Sequence, residues 1–282
     1  MRGVRLMFHL FRIDHILGFY RIYAFPWRPR YNPDFLPLDW NQMLERTSGR
    51  APHFAPRNDS TAEDCLANQR EGEEYLRAVL EEAGAERVIG EDLGTVPLYV
   101  RPHLHSLGIA GFKIPQWEIQ NGKVTPGSEY QRLSVATYAT HDHKPVRKLW
   151  EEAFEPPSSS SDQARDNINK IAEFAGFRPQ GERVDFETDF YPAVMNALFK
   201  SDSWIAILMI TDLLARTYRF NVPGTAASSN WTRRMQRSVA QLRSGRKENA
   251  RMRLVRELLE KNGRTDHEHG HEQESKIGVS SR

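Results

Sequence analysis

Cysteine occurs once in the 282 residues, at Cys65, so no internal disulfide can form and stability must come from packing. Long apolar runs are missing: a membrane helix needs roughly 18 or more such residues, and WIAILMI (204–210) gives way to Thr211 and Asp212. An excess of one charge sign is also lacking. The 39 Lys and Arg stand against 37 Asp and Glu for a formal charge of +2, so whole-chain electrostatics call for neither nucleic acid nor an anionic membrane and suit a neutral partner. No basic leader with an apolar stretch and cleavage site opens the sequence, which sets the expectation of a cytoplasmic protein. Repeats of solenoid or propeller period are absent as well.

What is present is a globular composition, 39% hydrophobic and 27% charged, with β-prone apolar runs alternating with helical patterns. The runs are MFHLFRI (7–13), RVIG (87–90), IAGFKI (109–114), LSVATYAT (133–140) and WIAILMIT (204–211), and they read as strands buried on both faces. Between them, EEYLRAVLEEAG places Tyr75, Leu76, Val79 and Leu80 at helical spacing before a stop at Gly84. Alternating strand and helix implies a parallel sheet, either a closed eight-stranded barrel or an open doubly wound sheet. The missing glycine-rich phosphate loop after the first strand favours the barrel.

Residues 26–69, rich in Pro, Asn, Asp and Arg, are too long for a simple connection and read as an active-site insertion. Residues 150–203 begin with a link, EPPSSSSDQ, and continue with Ile168, Ile171, Ala172 and Ala175 on one helical face ending at Gly176. This is expected to be a helical excursion. The expected organisation is thus a barrel portion over 1–234, a C-terminal helical segment over 235–264, and a tail over 265–282 that lacks a core face and is expected to be disordered.

Three of the expected strands run directly into a carboxylate: Asp14 after FRI, Glu91 in VIGEDLG and Asp142 in YATHD. In a parallel barrel all strand C-termini open on one face, so acids far apart in sequence converge there. Paired carboxylates suit glycosidic chemistry, one attacking or supporting the anomeric carbon and the other delivering a proton to the departing oxygen.

RIDHILGF, GEDLG, THD and NVPGTAASSNW, in this order, resemble the 4-α-glucanotransferase (amylomaltase, or disproportionating enzyme) family of the α-amylase superfamily, over roughly residues 4–234. The resemblance implies that Asp14 is the nucleophile of a covalent glycosyl-enzyme, Glu91 the general acid/base, and Asp142 the residue that grips sugar hydroxyls and distorts the ring. Arg12 would pair with Asp14 and orient it, and His141 would bond the same sugar as Asp142. Trp117 resembles an aromatic acceptor platform, where a core tryptophan is the alternative. Asn221 resembles a loop asparagine near the acceptor, where a turn role beside Pro223 and Gly224 competes. His15 either supports the nucleophile or satisfies a backbone carbonyl. No cofactor and no metal is implied, and the expected partner is a maltooligosaccharide or other α-1,4-glucan.

Two departures stand out. His143 occupies a position where bacterial members often carry Asn, and AFPW follows the nucleophile strand where other sequences differ. The RIDH strand is also the fourth of eight in the superfamily, whereas here it lies within a dozen residues of Met1. The expectation is an α/β fold representing about strands 4 to 8 of a (β/α)8 TIM barrel with helical insertions, with a missing N-terminal half as a possible partner. The functional alternatives are a noncatalytic glucan-binding or regulatory fragment and an α-glucan hydrolase. A metal site in THDH or in the tail HEHGH, and nucleic-acid binding by residues 232–256, where nine Arg or Lys face only Glu248, rank below these. The apolar stripe Met235, Val239 and Leu242 suggests instead that this basic segment is a helix covering the barrel.

Overall fold

The computed structural model describes residues 2–84, 87–154, 162–177, 184–225 and 227–265. The link at 155–161 and the tail beyond Thr265 lie outside the described residues. The chain divides into two compact units, Met1–Phe112 with Leu133–Val135, and Lys113–Arg132 with Ala136–Arg282.

The first unit is built on parallel strands. Phe11–Ile13 pairs with Val88–Gly90 in the register Phe11↔Val88, Arg12↔Ile89, Ile13↔Gly90, and Ile89 bridges in parallel to Ala110. Between the first two strands runs the helix Ala62–Ala83, and between the second and third the helix Val100–Ser106. The long helix starts where the Thr61 side chain accepts the Asp64 N–H, with Glu63 and Asp64 in its first turn complementing the helix dipole. It stops at Gly84, whose φ of +93° is open to glycine and costly for other residues. Its buried face presents Leu76 and Ala83 to Phe11, Ile16, Leu17, Tyr20, Val88 and Leu104. Gly72 permits the closest approach, since a Cβ there would sit 2.9 Å from the Tyr20 ring. The Tyr20 hydroxyl in turn meets His103 Nδ1 at 2.9 Å, and His103 Nε2 meets Glu73 at 3.1 Å.

The region read as an insertion is not featureless. It holds the helix Trp40–Arg46, capped reciprocally by Asp39 and Gln42, and the strand His53–Ala55 paired antiparallel with Ile22–Ala24. Its last eight residues belong to the Ala62–Ala83 helix.

In the second unit, Thr137 donates its N–H to the Lys113 carbonyl and Ile207 to that of Ala136. The core is helical and aromatic: Val146–Phe154, Asp162–Phe174 and Tyr191–Lys200 bury Trp150, Ile168, Ile171, Phe190, Tyr191 and Leu198 together. The helical reading around Ile168 and Ile171 holds, and Gly176 follows with φ +60°. Asp212 is 2% exposed, and its carboxylate accepts the Val146 N–H at 2.8 Å, capping that helix from across the core.

Three expectations need correction. Only Phe11–Ile13 of the run 7–13 is strand; Leu6, Met7 and Phe8 are 89%, 69% and 57% exposed because Val88–Gly90 offers only three partners. Only Ile205–Ala206 of the run 204–211 is strand, and a helix over Ile210–Leu213 follows, driven by burial of Thr211 and Asp212 rather than continued pairing. The stripe Met235, Val239 and Leu242 covers nothing: Met235 and Val239 are exposed and the helix Val239–Ser244 buries no residue. Packing falls instead to Arg246–Lys261 through Val255 and Leu258, which join the aromatic core. Of its cations Arg251 is buried, donates to the Leu214 carbonyl at 2.9 Å and grips Glu187, while Arg246, Lys247, Arg253, Arg256 and Lys261 are exposed; the helix's Glu248 is held by Arg216 and Arg237.

Candidate active site

Asp14 and Glu91 follow directly on Ile13 and Gly90, the last pair of the parallel ladder, so the two acids leave adjacent strands at the same end. The ladder continues into the corner: Glu91 donates its N–H to the Ile13 carbonyl at 2.9 Å, and Ile16 donates to the Glu91 carbonyl at 3.1 Å. His15, between them, adopts a left-handed backbone, φ 46° and ψ 56°. That conformation is sparsely populated for a residue with a side chain and is maintained by the surroundings. Here it turns the His15 N–H onto the Glu91 carboxylate, Oε2, at 2.7 Å.

The Arg12 guanidinium meets Asp14 Oδ1 at 2.7 Å and also lies over the Phe112 ring, 5.8 Å from its centroid. The Asp14 side chain is 72% exposed, open to an incoming reactant, whereas Glu91 is half-buried. Burial pushes the Glu91 carboxyl above its usual range; the His15 N–H and the Arg12 charge pull it down, and Asp14 pushes it up again. Two acids in different environments at one strand end are what a nucleophile and a proton donor require.

Next along the chain from Glu91, Asp92 is 2% exposed, accepts the Phe112 N–H at 2.7 Å and pairs with Arg101 Nε at 3.0 Å. Its carboxylate lies so close to the backbone of Gly111 that a Cβ there would meet Oδ2 at 2.7 Å.

A second cluster lies within the other unit. Asn221 Nδ2 donates to Asp142 Oδ1 at 2.6 Å, Arg219 donates to the Asp142 main-chain carbonyl, and His141 Nε2 stands 3.4 Å from Asp142 Oδ2. The main chain ties the same loops, Asn221 donating to the His141 carbonyl at 3.2 Å. Asn221 thus orients a carboxylate. Trp117, on the turn Pro115–Trp117, is 44% exposed, which removes the reading as a core residue; it meets His143 edge-on at 4.7 Å between ring centroids. His143 Nδ1 accepts the Thr140 N–H at 3.2 Å, and burial holds this imidazole below the usual histidine range, against an upward pull from Asp142.

Arg12, Asp14, His15 and Glu91 are thus gathered within the first unit, and Trp117, His141, Asp142 and Asn221 within the second. Several neighbours were not singled out as site residues by the sequence. Trp231 closes the motif NVPGTAASSNW, its ring 5.0 Å from that of His141, and Arg219 lies two residues before the motif. Their signal was that motif, whereas Asp92 and Arg101 gave none beyond the acid pair in GEDLG.

A sequence model of the glycoside hydrolase 77 family, described as 4-alpha-glucanotransferase, matches residues 1–240. The chain belongs to the 4-alpha-glucanotransferase family. A 4-alpha-glucanotransferase of Chlamydia trachomatis is 28% identical over 263 residues, covering 89% of this chain and 42% of the relative. One of Chlamydia pneumoniae is also 28% identical, over 86% of this chain and 40% of its own. The chain therefore spans less than half the length of these relatives. Among solved structures, the amylomaltase of Streptococcus agalactiae in complex with acarbose superposes with a TM-score of 0.58 at 18% identity, over 93% of this chain and 43% of that one. Amylomaltase of Corynebacterium glutamicum gives 0.53 at 19%, over 90% and 36%. These likenesses place the chain in the amylomaltase fold, with mixed helices and sheets.

Proposed function

We propose that this chain supplies the reacting carboxylates of a 4-α-glucanotransferase and forms about strands 4 to 8 of a (β/α)8 barrel. The observation that carries the reading is the corner at the end of the parallel pair: Asp14 salt-bridged to Arg12, and Glu91, its carboxyl raised by burial, held by the His15 N–H. Family membership and the order of the parallel segments support the barrel assignment.

In the proposed reaction Glu91 donates its proton to the oxygen leaving from an α-1,4 bond while Asp14 attacks the anomeric carbon. The ester so formed retains the donor segment. Glu91, now ionised, takes the proton from an acceptor hydroxyl, the acceptor displaces Asp14, and stereochemistry is retained overall. A sugar acceptor gives transfer and water gives hydrolysis. Asp142, fixed by Asn221, is assigned to the donor hydroxyls with His141, and Trp117 to the acceptor ring.

The test incubates the chain with maltotriose, alone and together with the portion of the Chlamydia trachomatis relative outside the matched region, and follows glucose and longer dextrins. Glucose accompanied by longer dextrins supports transfer, while glucose and maltose alone point to hydrolysis. Absence of turnover in both mixtures, with glucan still bound, would replace the enzymatic reading by a binding role.

A further inference from the structure

Outside the acid clusters, the first unit carries a run of aromatic rings that the proposed reaction does not use. The extended segment starting with Ile22–Ala24 puts Tyr23, Phe25 and Trp27 at alternate positions, so their side chains share one face. Phe54, on the paired strand, begins the series at 5.0 Å from Tyr23; the next steps are 5.2 Å to Phe25, 5.0 Å to Trp27 and 4.5 Å to Phe35, which stacks on Trp27 at an interplanar angle of 6°. Five rings in contact normally form a core, yet Tyr23 and Phe25 are each 47% exposed and Tyr31 beside them is 40% exposed. The far end is a shallow, open groove of about 800 Å³.

We propose that this groove is a second glucan-binding site, engaging the chain of an α-1,4-glucan away from the bond being cleaved. The inference rests on the glucanotransferase reading for the choice of ligand. Its chemistry follows from the lining. A glucan offers apolar C–H faces alternating with rims of hydroxyls, and aromatic faces beside planar polar groups match both.

Here Phe25 and Tyr31 supply the faces, and Arg28, Arg30, Arg46 and Asp34 the rims. The arginines are partly fixed in advance: Arg46 lies 4.9 Å over Phe35 and donates to the Asp34 carbonyl at 3.1 Å, and Arg30 lies 4.7 Å over Tyr31 with a 2.9 Å bond to its hydroxyl. The Trp27 indole N–H is bound to Asn32 at 3.0 Å, which locks the ring that backs the groove. Among the described residues no Leu, Ile, Val or Met lines this groove, as a pocket for an aliphatic side chain of a protein partner would require.

The test measures binding of maltoheptaose, with cellohexaose as the stereochemical control, by calorimetry and by Trp fluorescence. The host is the chain carrying Asp14→Asn and Glu91→Gln, so that turnover cannot intervene. In this background Phe25→Ala and Tyr31→Ala, both at exposed rings, are compared with their parent, and far-UV circular dichroism verifies folding. Each is expected to weaken maltoheptaose binding about tenfold and to leave cellohexaose weakly bound throughout. Tyr31→Phe should retain most of the affinity, since the ring face is kept. The proposal is overturned if the parent binds no maltoheptaose, or if folded Phe25→Ala and Tyr31→Ala variants bind as tightly as the parent. The second result leaves the transfer assay on maltotriose untouched, so this site can fail while the catalytic reading stands, whereas a parent that binds no maltoheptaose counts against both.

Discussion

Gly111→Ala adds one methyl group at the point where the structure has least room for it. The new Cβ would stand 2.7 Å from Asp92 Oδ2 and 3.1 Å from both Cγ and Oδ1. The carboxylate cannot swing aside freely, because Oδ1 accepts the Phe112 N–H at 2.7 Å and Oδ2 the Arg101 Nε at 3.0 Å. Overpacking of this kind costs about 1–3 kcal/mol, and losing a hydrogen bond to a buried charged group about 1.5–3 kcal/mol. Against this, replacing glycine stabilises by about 0.4–1 kcal/mol through the unfolded chain, since the φ here is not left-handed. The expected net is a loss of about 1.5–5.5 kcal/mol, read as a lower urea midpoint at unchanged m value. The double variant Gly111→Ala with Asp92→Ala should lose less than the sum of the two singles, because Asp92→Ala removes the atoms the methyl group strikes. An unchanged or raised midpoint in Gly111→Ala, or strict additivity in the double variant, would refute this account of the Asp92 cradle.

Glu91→Gln should slow transfer from maltotriose severely and spare reaction with a glycosyl fluoride donor, which leaves with little acid help, whereas Asp14→Asn should stop both; equal losses for both donors in Glu91→Gln would contradict the acid assignment. Asn221→Ala frees Asp142 Oδ1 and should lower kcat by about tenfold or more with circular dichroism unchanged, and a wild-type kcat would remove Asn221 from the site. Burial raises the Asp212 carboxyl to about 7, above its value in the unfolded chain, so its contribution to stability is complete below about pH 4, falls as pH rises from there, and is gone once pH passes 7. Asp212→Asn should therefore flatten the fall in unfolding free energy between about pH 4 and 7, and an unchanged pH profile measured by urea unfolding would show that Asp212 is not its source.

The parts of this architecture that depend on local pattern were legible in the sequence. Hydrophobic spacing located the helix containing Leu76 and the one containing Ile168, and apolar runs placed Phe11, Val88 and Ala136 in strands. Strand length was not legible. Residues 7–10 look as β-prone as 11–13, but pairing needs a partner edge, and Val88–Gly90 is too short to supply one. The same applies to Asp212: its sequence neighbours suggest a strand end, whereas its hydrogen-bond partner, Val146, lies 66 residues away. The stripe at Met235, Val239 and Leu242 has the right period for a buried face, but period marks only which residues could be buried, and Val255 and Leu258 take the place against the core. At the candidate site, residue types pointed to acids, while the group that touches Glu91 is a main-chain N–H whose direction depends on a left-handed φ at His15, a quantity no side-chain alphabet encodes.

That N–H gives the strand corner a memory of the proton. A protonated Glu91 is a weaker acceptor than an ionised one, and hydrogen bonds to charged groups are roughly twice as strong. When the acid gives up its proton, its grip on His15 tightens, and His15 is covalently joined to Asp14. Proton loss at one carboxylate is thereby transmitted, through a single peptide unit, to the stiffness of the chain bearing the other. In the proposed cycle the corner is loosest before the nucleophile attacks and firmest while the glycosyl ester awaits its acceptor.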